Sequence, residues 1–138
     1  MAEASPQLSY ITAESLAKVI KSQPELSDCL IIDVRGDDYA GGHIKGALNA
    51  QSQQFNDQSF VDEVIKTHVA DKSLVVLHCA FSQQRGPRCA LHLKQRLLEL
   101  GMDDSKVQVL RGGFNSFAQQ YSSDPQLVED WDATVKRD

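Results

Sequence analysis

Three short apolar runs constrain this chain more than anything else in it: "CLIIDV" at 29–34, "KSLVVLHC" at 72–79 and "VQVLRG" at 107–112. Each is too short for a buried helix and too continuously apolar for a strand with one wet face, so each reads as a strand covered on both sides. Helical patterns fill the gaps between them. "ITAESLAKVIKS" offers Thr12 as an N-cap and sets Leu16, Val19 and Ile20 at helical spacing. "NDQSFVDEVIKTHV" places Phe60, Val61, Val64 and Ile65 on one face, and residues 86–100 turn Ala90, Leu93, Leu97 and Leu100 inward. "GGFNSFAQQY" reads as a short helix with Phe114 and Phe117 toward the core. Strands alternating with helices predict an α/β domain: three layers, with a mostly parallel central sheet and helices on both faces.

The 138 residues predict a single domain, residues 1–138, with its core over about 8–121. The tail, 122–138, is polar apart from Leu127, Val128 and Trp131, through which it is expected to dock. With 41% hydrophobic and 24% charged residues the composition is that of a soluble globular protein. No apolar run approaches the roughly 20 residues that span a bilayer, so no membrane partner is expected. The opening "MAEASPQLSY" lacks the basic and apolar regions of a secretory signal, so an intracellular protein, of cytoplasm or nucleus, is expected. A net charge of -5 argues against nucleic acid as a partner. A local basic stretch nevertheless holds Arg85, Arg88, Lys94 and Arg96. Cys29, Cys79 and Cys89 form neither a disulfide framework nor paired metal ligands, so no metal is expected. The sequence assigns no oligomeric state.

Open parallel sheets bind ligands at the carboxyl ends of their strands, and Asp33, Cys79 and Arg111 stand at or just past three such ends. The most informative is "HCAFSQQRGPR", where Cys79 and Arg85 bracket five residues before a helix begins. A strand feeding a tight loop into a helix presents consecutive backbone N–H groups, with the positive end of the helix dipole behind them. Such a nest binds a tetrahedral oxyanion. Arg85 adds a planar two-pronged donor, Gly86 removes bulk where loop meets helix, and Pro87 fits the first turn, where a missing N–H costs nothing. The same field favours a thiolate: a free thiol titrates near 8.5 and is only about 3% ionised at pH 7, and helix N-termini and arginines raise that fraction. The expected product is a nucleophile, Cys79, facing a cradle made by Ala80, Phe81, Ser82, Gln83, Gln84 and Arg85. Attack on a phosphoryl group there gives a phosphocysteine.

"HCAFSQQRGPR" resembles the active-site loop of the cell-division-cycle dual-specificity phosphatases, whose catalytic domain has the rhodanese fold. "IIDVRGDDYAGGHIKGALNA", with Tyr39, Gly42, His43, Ile44, Gly46, Ala47 and Asn49 after its Asp-Arg strand end, is similar to the superfamily's second signature. "VLRGGFNSF" is similar to its C-terminal strand-to-helix turn. Small one-domain relatives in fungi and plants, some of them arsenate reductases, share this size. The resemblance implies Cys79 as nucleophile, Arg85 as the phosphate-binding residue and Ala80 to Gln84 as N–H donors. It further implies a phosphatase of the protein-tyrosine or dual-specificity type, releasing phosphate from phosphoproteins or small phosphates, with a phosphotyrosine-like or small aryl phosphate as the expected substrate. The alternative it leaves is an arsenate reductase drawing on glutathione or glutaredoxin. A thiosulfate sulfurtransferase is less favoured, because that branch has a shorter loop, and a phosphate-reading module without catalysis is disfavoured by the intact Cys79 and Arg85. Two departures stand out. The loop lacks the glutamate of that phosphatase branch, since Ala80, Gln83 and Gln84 carry no carboxylate, and the position of its second, disulfide-forming cysteine is Val34. The tail has no zinc-binding cysteine cluster like that of the plant relatives.

Other residues carry smaller expectations. Asp33 reads as a structural strand end that holds loop N–H groups, with a supporting role at the site, as a catalytic acid, as its alternative. Asp37 and Asp38 are candidates to reach a leaving-group oxygen. His78 points to the opposite face of its strand from Cys79 and reads as packed and hydrogen-bonded. His43 is expected to fix its loop, and His68 and His92 to lie at the surface. Cys89, one helical turn beyond Arg85, either packs on the sheet or acts as a resolving thiol, and Arg88 either steers anions at the pocket mouth or is solvated. Cys29 starts its strand and belongs at the far edge of the sheet.

Overall fold

The structure, a computed structural model, describes residues 7–36, 39–81 and 83–135. Its strands are β1 (Tyr10–Ile11), β2 (Cys29–Asp33), β3 (His43–Ile44), β4 (Leu48–Asn49), β5 (Leu74–His78), β6 (Val107–Leu110) and β7 (Val128–Glu129). Its helices are α1 (Ala13–Ser22), α2 (Gln58–Val64), α3 (Arg85–Glu99) and α4 (Gly113–Tyr121). A 3-10 turn at Ser52–Asn56 leads into α2, and a π turn at Ile65–Val69 extends it. Five strands form one parallel sheet in the order β1-β6-β5-β2-β4.

The order explains the layers. The chain crosses from β1 to β2 in one direction, then steps from β4 to β5 to β6 in the other. Right-handed crossovers therefore place α1 on one face and α2 and α3 on the opposite one. Two apolar cores result. Leu30, Ile32, Val75, Leu77, Val107 and Val109 pack against α2, the π turn and α3. Cys29, Ile31, Val76 and Leu110 pack against Leu16, Ile20, Phe114 and Phe117 of α1 and α4. Each of these strands thus feeds both faces by strict alternation, which is why the three runs are mainly apolar, with Gln108 as the polar exception inside β6.

Element ends follow from local chemistry. Thr12 caps α1, its hydroxyl accepting the Ser15 amide at 3.1 Å. At the end of α3, Gly101 adopts φ +70°, its amide reaches the Leu98 carbonyl and the Met102 amide reaches Leu97 at 2.8 Å. This is a Schellman cap, and it turns Met102 onto the core beside Leu97. Leu100, expected to face inward, is instead 45% exposed, because helical periodicity ends one residue before it.

Two pairings lack a sequence signal. β1 is two residues long with an exposed Tyr10, yet it pairs with β6 at the sheet edge. The polar tail contributes β7, antiparallel to β3, and buries Leu127 and Val128. Residues 136–138 lie outside the described residues.

Candidate active site

Cys79 follows the last residue of β5 and is 4% exposed, on the face covered by α3. Its Sγ accepts the Gly86 amide from the first turn of α3 at 3.3 Å. That contact requires helix and strand end to touch. A Cβ on Gly86 would lie 3.3 Å from both the Cys79 nitrogen and the His78 Cα, so glycine is the residue that fits. Gln84 stands at the N-cap of α3 and makes no side-chain cap bond among the described residues. Cys79, Ala80, Phe81, Gln83, Gln84 and Arg85 together line a cavity of about 150 Å³. Pockets that enclose a whole small molecule run to about 300–1,000 Å³, so this one suits a reacting group and leaves the rest of a substrate outside. Ser82 lies outside the described residues.

The loop is held from behind by α4. The Phe114 amide donates to the Cys79 carbonyl and the Asn115 amide to the Ala80 carbonyl, both at 2.9 Å. In a planar trans peptide the N–H opposes the C=O, so the Ala80 and Phe81 amides are aimed away from α4. Gly113 makes this possible: its φ is +64°, and a Cβ there would stand 2.5 Å from the Ala80 oxygen. The sequence marks this support only as the glycine pair in "VLRGGF". Gly113→Ala is therefore expected to destabilise the fold by about 3 kcal/mol or more, combining left-handed strain with a backbone clash. A urea midpoint read by fluorescence measures it.

The opposite face of the same strand ends carries a buried ion cluster. Asp33 clamps Arg35 through Nε at 3.0 Å and Nη2 at 2.7 Å, and it also accepts the Arg35 backbone amide at 3.0 Å. Nη2 donates further to the Gly42 carbonyl at 2.9 Å. The guanidinium lies 4.3 Å from the centre of the Phe114 ring and 5.7 Å from that of Tyr39. His78 is buried beside them, its Nδ1 at 3.2 Å from the Cys79 carbonyl and its Nε2 without a hydrogen-bond partner among the described residues, 3.9 Å from Asp33 Oδ2. Asp33 and His78 are register partners and share this face, so neither lines the cavity around Cys79.

Burial pushes the His78 pKa down, ahead of the upward pulls of Asp33 and the Cys79 carbonyl and the downward push of Arg35. A lowered folded value means that below about pH 6.5 the unfolded chain takes up a proton that the folded chain refuses. Stability present above that pH is lost as pH falls through the window beneath it. Urea midpoints should drop between about pH 6.5 and 5, and His78→Phe should flatten that slope. Asp57, Asp62, Asp103 and Asp124 are held low by their hydrogen bonds and lose their contribution only nearer pH 4, outside this window.

The remaining candidates separate. Cys89 is fully buried in the α3 core, its Sγ 3.7 Å from the Ser52 carbonyl, and burial pushes its pKa up to about 12. Cys29 lies at the far end of β2, its pKa pushed up to about 11, chiefly by burial. Arg88 is exposed one turn beyond Arg85 and outside the cavity lining. The expected basic stretch is broken up. Lys94 is 3% exposed and pairs with Asp104 at 3.1 Å, while Arg96 is clamped by Asp62 at 2.7 Å and by Glu99. Their positive charge is spent locally, which leaves Arg85 and Arg88 nearest the site. Arg111 stacks on Tyr10, with 5.2 Å from guanidinium to ring centre. His43 fixes its loop, stacked on Tyr39 and 3.2 Å from Asp130; His92 is exposed and His68 half-buried. Asp37 and Asp38 lie outside the described residues. Among the described residues no group of three His, Cys, Asp or Glu side chains is placed to hold a metal, and no helix is long and apolar enough to cross a membrane.

The class is that of parallel α/β sheets whose central strand is followed by a cysteine, a five-residue loop and a helix N-terminus. A rhodanese-like domain model matches residues 12–120, and the chain belongs to that family. It is 36% identical over 106 residues to the CDC25-like phosphatase YCH1 of Saccharomyces cerevisiae, covering 71% of each chain. It is 32% identical to M-phase inducer phosphatase 3 of Mus musculus, covering 88% of this chain but 29% of that protein. A solved structure described as a yeast protein tyrosine phosphatase of the rhodanese family superposes with a TM-score of 0.76 at 25% identity, over 93% of this chain and 96% of the other. The As-Sb reductase of Leishmania major superposes at 0.73 and 26% identity, over 88% and 85%.

Proposed function

We propose that this chain is a cysteine-dependent phosphatase that hydrolyses phosphate monoesters through a phosphocysteine on Cys79. The observation that carries the reading is the Cys79 Sγ, 3.3 Å from the Gly86 amide at the mouth of α3, inside a cavity that ends in Arg85. An oxyanion docked there meets the helix dipole, the loop amides and the guanidinium fork together. The Cys79 thiolate attacks phosphorus, and the donors hold the equatorial oxygens as charge spreads over them. Relatives that are CDC25-like phosphatases support the reading. The small cavity favours an exposed phosphate on a phosphoprotein or a small phosphate monoester, met inside the cell, in cytoplasm or nucleus.

Arsenate reduction is the second reading, favoured by the likeness to the Leishmania reductase and by the same cradle. Cys89, buried and held protonated, is a poor resolving nucleophile there, so the reductant is an external thiol such as glutathione or glutaredoxin. Three incubations separate the possibilities: p-nitrophenyl phosphate, arsenate with a thiol reductant, and thiosulfate with cyanide. Turnover of the first alone supports the phosphatase. Turnover of the second or third alone replaces it with reductase or sulfurtransferase, and measurable phosphate affinity without turnover leaves a binding module.

A further inference from the structure

We propose that a groove beside the free edge of β4 docks an extended segment of a phosphoprotein substrate. It takes one apolar side chain and a neighbouring Lys or Arg, while the phosphorylated residue reaches Cys79. This deepens the phosphatase reading above and rests on it. β4 ends the sheet and pairs with β2 on one side only. The Ala50 amide donates to the Asp33 carbonyl at 3.0 Å, so the backbone N–H and C=O of Asn49, one residue earlier, turn to the other side. Such an edge is a template for a further strand: main-chain bonds hold a peptide, and a pocket beside the edge reads its side chains.

That pocket is present. α2 and the π turn stand beside β4 and enclose about 320 Å³ with it, twice the volume of the cavity at Cys79. Leu48, Ala50, Phe60 and Val64 form its apolar wall, and Leu48 and Phe60 are only half-buried. The charge of the groove is one-sided. Glu63 is exposed at the rim, its carboxylate steadied by the Thr67 hydroxyl at 2.6 Å, and no Lys or Arg is among the described lining residues. His68 is the other titratable side chain there. A cationic residue beside the apolar anchor complements Glu63, and the net charge of -5 favours its approach.

The groove also lies where a docked segment can serve the thiol. Asn49, Asp33 and His78 are register partners across β4, β2 and β5. Two strand spacings of about 4.8 Å put the β4 edge roughly 10 Å from the strand end that Cys79 follows. Leu48 and Ala50 pack into the same apolar layer as Cys79, so groove and thiol share one face and one end of the sheet. The cavity at Cys79 leaves most of a substrate outside, free to run toward β4. At about 3.3 Å per extended residue, the gap sets the anchor roughly three to six residues from the phosphorylated one.

The test uses the whole chain. An unphosphorylated Gly/Ser peptide carrying one Leu-Lys pair is titrated against isotope-labelled protein and followed in the amide spectrum. The expected result is saturable shifts at Asn49 and from Glu63 to Thr67, with Ala80 and Phe81 unmoved. Kinetics then place the same pair at stepped distances from a phosphotyrosine, and kcat/KM should peak at a spacing of roughly three to six residues. Replacing the peptide's leucine by serine should raise KM roughly 10-fold or more, as burial of that side chain implies. Glu63→Lys should raise it roughly 3- to 10-fold through lost attraction and added repulsion. A KM indifferent to the pair, or shifts confined to the loop after Cys79, overturns the proposal while the phosphatase reading stands. Groove shifts that grow with protein concentration in the absence of peptide make a second copy of this chain the occupant, and overturn it equally. Failure to hydrolyse p-nitrophenyl phosphate, with the peptide shifts intact, overturns the phosphatase reading and with it the groove's role toward substrate.

Discussion

Cys79→Ser is expected to remove turnover of p-nitrophenyl phosphate almost entirely, by roughly 10⁴-fold or more in kcat, as losses of a covalent nucleophile do. The substitution changes one atom in a buried position, so the fold should hold. What it removes is an anion. A serine hydroxyl stays protonated at neutral pH, and among the described lining residues none can act as its base. The helix start and Arg85 remain, so the variant should still bind inorganic phosphate. Phosphate affinity within a few-fold of the parent, measured by calorimetry beside a lost kcat, assigns the sulfur to chemistry and the loop to binding. Substantial residual turnover would remove Cys79 from the mechanism.

Arg85→Lys should cost roughly 10²–10³-fold in kcat/KM, and Arg85→Ala more, up to about 10⁵-fold. Lysine keeps the charge but replaces a rigid planar fork with a mobile point donor, which cannot bind two oxygens of one oxyanion in fixed geometry. The difference between the two variants separates geometry from charge. If lysine restored most of the activity, Arg85 would act through its field alone. Rising ionic strength should weaken phosphate binding in both the parent and the lysine variant.

The fold was largely legible because three strands of the sheet lie between two apolar layers and so carry no polar alternation to confuse with a loop. The candidate site could be picked out for a related reason. Cys79, Arg85, Gly86 and Pro87 are neighbours in sequence, so the strand, loop and helix around them could be read as one unit. What the sequence concealed lies far along the chain. The pairing of β7 with β3 joins Val128 to Ile44, and two residues per strand give no periodicity. The hold of α4 on the Cys79 and Ala80 carbonyls runs through backbone amides, which leave no side-chain trace beyond Gly113. The local basic stretch misled because charge in sequence does not report pairing: Lys94 is neutralised by Asp104 and Arg96 by Asp62. Leu100 misled because a Schellman turn ended the helix before it.

The proposed chemistry requires a sulfur and an oxyanion to share one cradle, and that is open to direct measurement. Peptide-mapped alkylation of Cys79 by iodoacetamide, followed as inorganic phosphate is raised, reports whether the anion occupies the space in front of the sulfur. The account predicts saturable protection that is lost in Arg85→Ala. An alkylation rate indifferent to phosphate in the parent protein would contradict it.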